Sequence, residues 1–169
     1  MESQSLWKDR PVVVLAIRRP GCVACRAQAQ DLWARRAELE AAGVGLAVVV
    51  NQTLPGELED FADKFWPGDV YLDPSRAFYR ALGQGEVRRA GVAGALLSLL
   101  NPFSRVSRNM RQAGARVKDW NMKGDGLTLG GVLLVTRGGV PFAFQERAFG
   151  DAPGVDEVVA AAARAGTSG

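Results

Sequence analysis

Cys22 and Cys25 are the only cysteines in the 169-residue chain, and they stand three positions apart. The run around them reads Arg18-Arg19-Pro20-Gly21-Cys22-Val23-Ala24-Cys25-Arg26. At this spacing, two thiols on the first turn of a helix face the same side and can close a small disulfide loop. The free N–H groups and the dipole at a helix start favour a thiolate. Arg18, Arg19 and Arg26 are near in sequence and can lower a thiol pKa further. Arg19 and Arg26 are taken as the thiolate-supporting pair. Gly21 lets the backbone turn sharply and leaves the first sulfur accessible. Buried free cysteine is common, and for a lone cysteine it would be the better reading. Here the pattern predicts a redox-active dithiol at a strand-to-helix turn.

Other chemistries are excluded by composition. The chain has no histidine, which removes Ser-His, Cys-His and His-ligand mechanisms. Two cysteines without histidine leave no four-ligand zinc site, and no bound metal or cofactor is expected. A disulfide-held secreted domain would carry more cysteine, so a reducing compartment is expected. Met1 to Lys8 is polar and lacks a signal-peptide pattern, so the expected location is cytoplasmic, or organellar if a leader has been removed. The longest mostly apolar stretch, Ala90 to Leu100, is too short to span a membrane as a helix, which takes about 20 residues.

The elements that must position the cysteines can be read from patterning. Pro11 to Ile17 (PVVVLAI) is a continuous apolar run that suits a buried central strand. Val23 to Ala42 favours a helix, with Gly43 as its stop. Val44 to Val50 is a second buried strand, completing a β-α-β unit. A helix is expected over Leu54 to Phe65 and a short strand over Asp69 to Leu72. A further helix is expected over Pro74 to Leu82, with Asp73 as cap and Pro74 in its first turn. Val132 to Thr136 and Val140 to Arg147 read as a hairpin, and Asp156 to Ala165 as a closing helix.

Between Gly83 and Gly126 the pattern is irregular and reads as a helical insertion, set at residues 84–124. From Gln84 to Lys123 eight basic residues face two acidic ones, so this segment carries +6 of a net charge of +3. Such a segment can dock a protein partner. It lacks the interleaved aromatics of a nucleic-acid surface, and no nucleic acid is expected.

The element order is the plan of an α/β, thioredoxin-like three-layer fold, a single domain over residues 1–169 with the insertion before the C-terminal β-hairpin. An ordinary thioredoxin would carry a proline before the hairpin, where this chain has Thr128-Leu129-Gly130-Gly131, and a tryptophan before the first cysteine. An ordinary peroxiredoxin would have threonine in place of Cys22.

The run Arg18-Arg19-Pro20-Gly21-Cys22-x-x-Cys25-Arg26 with Gln30-Asp31-Leu32 resembles the peroxiredoxin-like 2 family of the alkyl hydroperoxide reductase and thiol-specific antioxidant superfamily. The likeness continues in Tyr71-Leu72-Asp73, Phe78-Tyr79, Gly124-Asp125-Gly126, Leu129-Gly130-Gly131 and Phe149-Gly150-Asp151. The resemblance implies a thioredoxin-like (peroxiredoxin-like) fold and a Cys22–Cys25 couple that cycles between dithiol and disulfide with antioxidant activity.

The expected function is a thiol-dependent oxidoreductase that reduces peroxides or disulfides. Its substrate would be a peroxide or lipid peroxide. A thioredoxin- or glutathione-type reductant would regenerate it, with reducing equivalents ultimately from NADPH. Thioredoxin-like geometry makes Cys22 the attacking residue, the reading preferred here, and the peroxiredoxin register makes it Cys25. One alternative is the prostaglandin or prostamide endoperoxide reductase of the same family, with Ala90 to Leu100 lining a lipid site. Another is a non-enzymatic subunit of a larger assembly. No substrate-binding residue is assigned.

Overall fold

The computed structural model describes residues 6–52, 54–91 and 100–166. Six consecutive apolar residues form β1 (Val12–Ile17), and all six are buried. Alternation sends Val13, Leu15 and Ile17 to one face of the sheet and Val12, Val14 and Ala16 to the other. A strand is apolar on both faces only where both are covered, and both are. β1 pairs in parallel with β2 (Gly45–Val50), which pairs in parallel with β3 (Val70–Leu72). On its other edge β1 pairs antiparallel with β4 (Gly131–Thr136), which forms a hairpin with β5 (Gly139–Gln145). The five strands lie in the order β3-β2-β1-β4-β5, so β1 is central.

The first face carries the larger core. It is covered by α1 (Val23–Ala34), α2 (Arg36–Ala41) and α3 (Glu57–Lys64), followed by α5 (Arg105–Arg116) and α6 (Val155–Gly166). The second face is covered by Phe78, Tyr79 and Leu82 of α4 (Ala77–Leu82), with Leu6 and Trp7 beside them. The Tyr79 hydroxyl donates to the Ile17 carbonyl at 2.6 Å and so pins the end of β1, where the chain leaves the sheet for the cysteines.

Three local expectations are corrected. The helix expected over Val23 to Ala42 is two helices, parted at Arg35, whose N–H turns to the carbonyl of Leu32 as the α1 helix closes. Pro74 lies in a turn before α4, not in its first turn. Asp73 accepts from the amides of Ala77 and Phe78, so the helix starts four residues beyond its cap. The helix expected from Leu54 starts at Glu57, after Gly56 takes a left-handed conformation. In the region read as an insertion, α5 begins at a Ser104 cap. Its Ala113 and Met110 join the core that also holds α1. Most of the Ala90 to Leu100 run, residues 92–99, lies outside the described residues.

Arg26 ties these parts together from inside. Its side chain is 1% exposed. Nε donates to the Pro20 carbonyl at 2.7 Å and Nη1 to the Asp119 carbonyl at 2.6 Å. Nη2 stands 2.8 Å from Asp60 of α3, and the guanidinium lies over the Phe65 ring at 4.6 Å. Removing a buried guanidinium strands these acceptors, each at a cost of about 1–3 kcal/mol. Arg26→Met is therefore expected to lower the unfolding free energy by about 3 kcal/mol in urea titration. A loss below about 1 kcal/mol would contradict the role of Arg26 as an internal strut.

Candidate active site

Cys22 is the residue at which the chain stops being extended and becomes helical. Its φ and ψ are −72° and 124°, and its carbonyl accepts the Arg26 N–H at 2.9 Å, the first bond of α1. Just before it, the Gly21 carbonyl accepts the Asn121 N–H at 2.9 Å. A Cβ at Gly21 would overlap the end of the Asn121 side chain, which would have to shift. Both cysteines are free thiols, and they approach each other to 3.0 Å. Cys25 is 1% exposed and Cys22 is 5% exposed.

Arg18 leaves the end of β1 and turns toward this turn. Its Nη2 donates to Cys22 Sγ at 3.1 Å. Its Nε is 3.2 Å from a carboxylate oxygen of Glu146, and both side chains are 5% exposed. The guanidinium also lies over the Phe149 ring at 4.7 Å. Glu146 follows β5 directly. Its N–H donates to the Gly130 carbonyl at 3.0 Å, and its carboxylate accepts the Gly130 N–H at 3.0 Å. A Cβ on Gly130 would overlap the Ala16 carbonyl, so the double glycine lets the hairpin bring Glu146 against the end of β1.

The electrostatics follow from this packing. The hydrogen bond from the Cys25 thiol holds Cys22 well below the ordinary thiol value, against the cost of burial. The charges of Arg18 and Arg19 act in the same direction. The same hydrogen bond, burial and the charge of the neighbouring thiolate push Cys25 well above its ordinary value. These directions favour the thiolate at Cys22 and the thiol at Cys25. Burial pushes Glu146 up to about 7, which the Arg18 charge only partly offsets.

A cleft of about 550 Å³ opens over Cys22. Its walls include Met110, Trp120, Met122, Leu127 and Phe149, with Arg18 and Arg19 beside the sulfur. Met122 and Trp120 are exposed.

The structure thus brings together Cys22, Cys25 and Arg18, and sets Arg19 at the rim, donating to the Met122 carbonyl at 2.9 Å. It does not bring Arg26 to the sulfurs, because that guanidinium is held by Pro20, Asp119 and Asp60. The direct partner is Arg18, and behind it Glu146, which the sequence reading did not single out. A signal for Glu146 existed in the period-two spacing of Phe142, Phe144 and Glu146, which sets a carboxylate on an apolar face. Of the basic residues between 84 and 123, Arg116 pairs with Asp31, Lys123 with Glu57 and Arg89 with Asp125. Among the described residues, no cluster of three or more His, Cys, Asp or Glu could hold a metal, and no helix is long and apolar enough to cross a membrane.

Solved structures with this fold include peroxiredoxin Q of Xanthomonas campestris, at TM-score 0.55 and 14% identity, covering 94% of this chain and 78% of that one. A secreted Mycobacterium tuberculosis disulfide oxidoreductase matches at TM-score 0.52 and 13% identity, covering 97% and 87%. Both likenesses bear on the fold, which is thioredoxin-like. By sequence, the chain is 32% identical over 164 residues to peroxiredoxin-like 2A of Danio rerio, covering 96% of this chain and 72% of the relative. It is 34% identical over 152 residues to peroxiredoxin-like 2A of Mus musculus, covering 89% and 65%. The family model described as AhpC/TSA antioxidant enzyme matches residues 31–148, a span that includes Glu146 and begins after the two cysteines. With these matches, the chain belongs to the AhpC/TSA antioxidant family and, within it, to the peroxiredoxin-like 2 group.

Proposed function

We propose that the protein is a thiol-dependent peroxidase in which Cys22 attacks and Cys25 resolves. The observation that carries this reading is the Cys22 sulfur itself, held at 3.1 Å by a buried guanidinium, with a second thiol 3.0 Å away, under an open cleft. The Cys22 thiolate attacks one oxygen of a hydroperoxide. An S–O bond forms, the O–O bond breaks, and the leaving alkoxide takes up a proton, giving a sulfenic acid and an alcohol. The Cys25 sulfur then attacks Cys22. The S–S bond forms, the S–O bond breaks, and water leaves with the Cys25 proton. An external dithiol of the thioredoxin or glutathione type, ultimately recharged by NADPH, supplies the two electrons that reopen the disulfide. The same exchange makes disulfide reduction a further activity of the couple.

The cleft walls support a peroxide with an apolar body as substrate. Trp120, Met122 and Leu127 are exposed large apolar side chains within reach of one sulfur, and Arg19 can meet an anionic end. An endoperoxide is one member of that class. Turnover of an apolar alkyl hydroperoxide well above that of hydrogen peroxide would support this use of the cleft.

Two outcomes test the assignment of roles. Peroxide consumption with a dithiol reductant should vanish in Cys22→Ser. In Cys25→Ser, one equivalent of peroxide should be consumed, leaving a sulfenic acid on Cys22 that a dimedone probe traps and mass mapping locates. Sulfenic acid on Cys25 in Cys22→Ser, with retained consumption, would reverse the roles. At neutral pH, Arg18→Met should slow the reaction with peroxide at least about tenfold, because a facing charge shifts a pKa by about 1–3 units. Arg19→Met, with the charge at the rim, should slow it only a few-fold. Equal effects of the two substitutions would contradict the role given to Arg18.

A further inference from the structure

Glu146 is a buried carboxyl with no part in the steps above. On one side it meets Arg18 at 3.2 Å and the Gly130 amide at 3.0 Å. On the other it lines a cavity of about 210 Å³ between α1, α5 and the Gly150–Gly154 loop. Asp151 lines the same cavity, and its Oδ1 is buried with no hydrogen-bond partner among the described residues, which suits a site for water. Asp31 and Arg116, paired at 2.6 Å and both partly exposed, also line it. The cavity thus sets polar groups, among apolar walls, beside a carboxyl that a cation links to the Cys22 sulfur.

We infer that Glu146 holds the mobile proton of the Cys22–Cys25 couple, losing it when the couple is oxidised, regaining it on reduction, and exchanging it with solvent through this cavity. The inference rests on the dithiol reading above.

The charges around Glu146 explain why. Arg18 faces it from the end of β1, Cys22 and Cys25 from the start of α1, Tyr79 from α4, and Asp151 from the loop before α6. Asp151 is itself paired with Arg147 at 2.9 Å. One buried cation meets two potential anions, Cys22 and Glu146. With a Cys22 thiolate and a neutral Glu146, the three groups are neutral together. Oxidation removes the thiolate charge. Arg18 is then left with Glu146 alone, which ionises and restores neutrality. Atoms and charge balance: thiolate, thiol, neutral carboxyl and hydroperoxide become disulfide, carboxylate, alcohol and water. The proton on the leaving alcohol is then matched by the one Glu146 gives up.

The test is the midpoint of the couple in a thiol–disulfide redox buffer, measured over a range of pH by mass detection of the lost hydrogens. Its pH dependence gives the protons taken up per two electrons. Burial sets the reduced-state Glu146 value at about 7. Wild type should therefore take up about one and a half protons near pH 7, nearly two about a unit below it, one on Cys25 and one on Glu146, and one proton well above it. Glu146→Gln should take up one proton throughout. One proton in wild type across the whole window overturns the inference, whether or not the variant folds. Two free thiols that resist oxidation overturn the dithiol reading and this inference with it. A normal couple with no Glu146 step overturns this inference alone.

Discussion

A guanidinium taken out of water has to be met by negative charge, and Arg18 is taken out of water almost completely. Its partners are a carboxylate oxygen at 3.2 Å and a sulfur at 3.1 Å. The carboxyl is itself so buried that ionising it costs free energy, which moves the negative charge toward the sulfur. The Cys25 thiol moves it further, because it can donate to a thiolate and gains little by losing its own proton. A thiolate at Cys22 is thus the state that this small buried charge cluster favours. It needs no histidine, and the chain has none.

Each element of the fold has a part in holding that cluster. β1 is the central strand, so the residue that follows it emerges at a place fixed by neighbours on both sides. Tyr79 pins its last carbonyl from the opposite face. The Gly130–Gly131 pair lets the hairpin close against Ala16 and deliver Glu146. The Gly21 carbonyl holds the Asn121 amide just before Cys22 starts the helix. Arg26 binds the helix start to α3 and to the segment before the hairpin. Packing fixes the cluster from one side, and the cleft leaves the Cys22 sulfur approachable from the other.

Much of this was legible in residue types and spacing. The run Pro11 to Ile17 reads as a central strand because it is apolar at every position, and Val12–Ile17 is one. The cysteine pair reads as a strand-to-helix turn, and Cys22 is the first cap of α1. What sequence could not give was the direction of long side chains. Arg18, Arg19 and Arg26 look equivalent by distance along the chain, yet one meets the sulfur, one sits at the rim and one faces away. That choice depends on where Pro20, Asp119 and Asp60 lie, and Asp119 is remote in sequence. Glu146 was hidden for a similar reason, since its partner is 128 positions away across a sheet register. The break at Arg35 has no glycine or proline to announce it.

On this reading of the site, the charge cluster of the reduced protein places the negative charge on Cys22 and not on Cys25. The most direct measurement is the alkylation rate of each cysteine by iodoacetamide as a function of pH, resolved by peptide mass mapping. Cys22 should label first, with a midpoint well below the ordinary thiol range, while Cys25 stays unlabelled until well above it. Labelling of Cys25 ahead of Cys22, or a Cys22 midpoint at the ordinary thiol value, would contradict it.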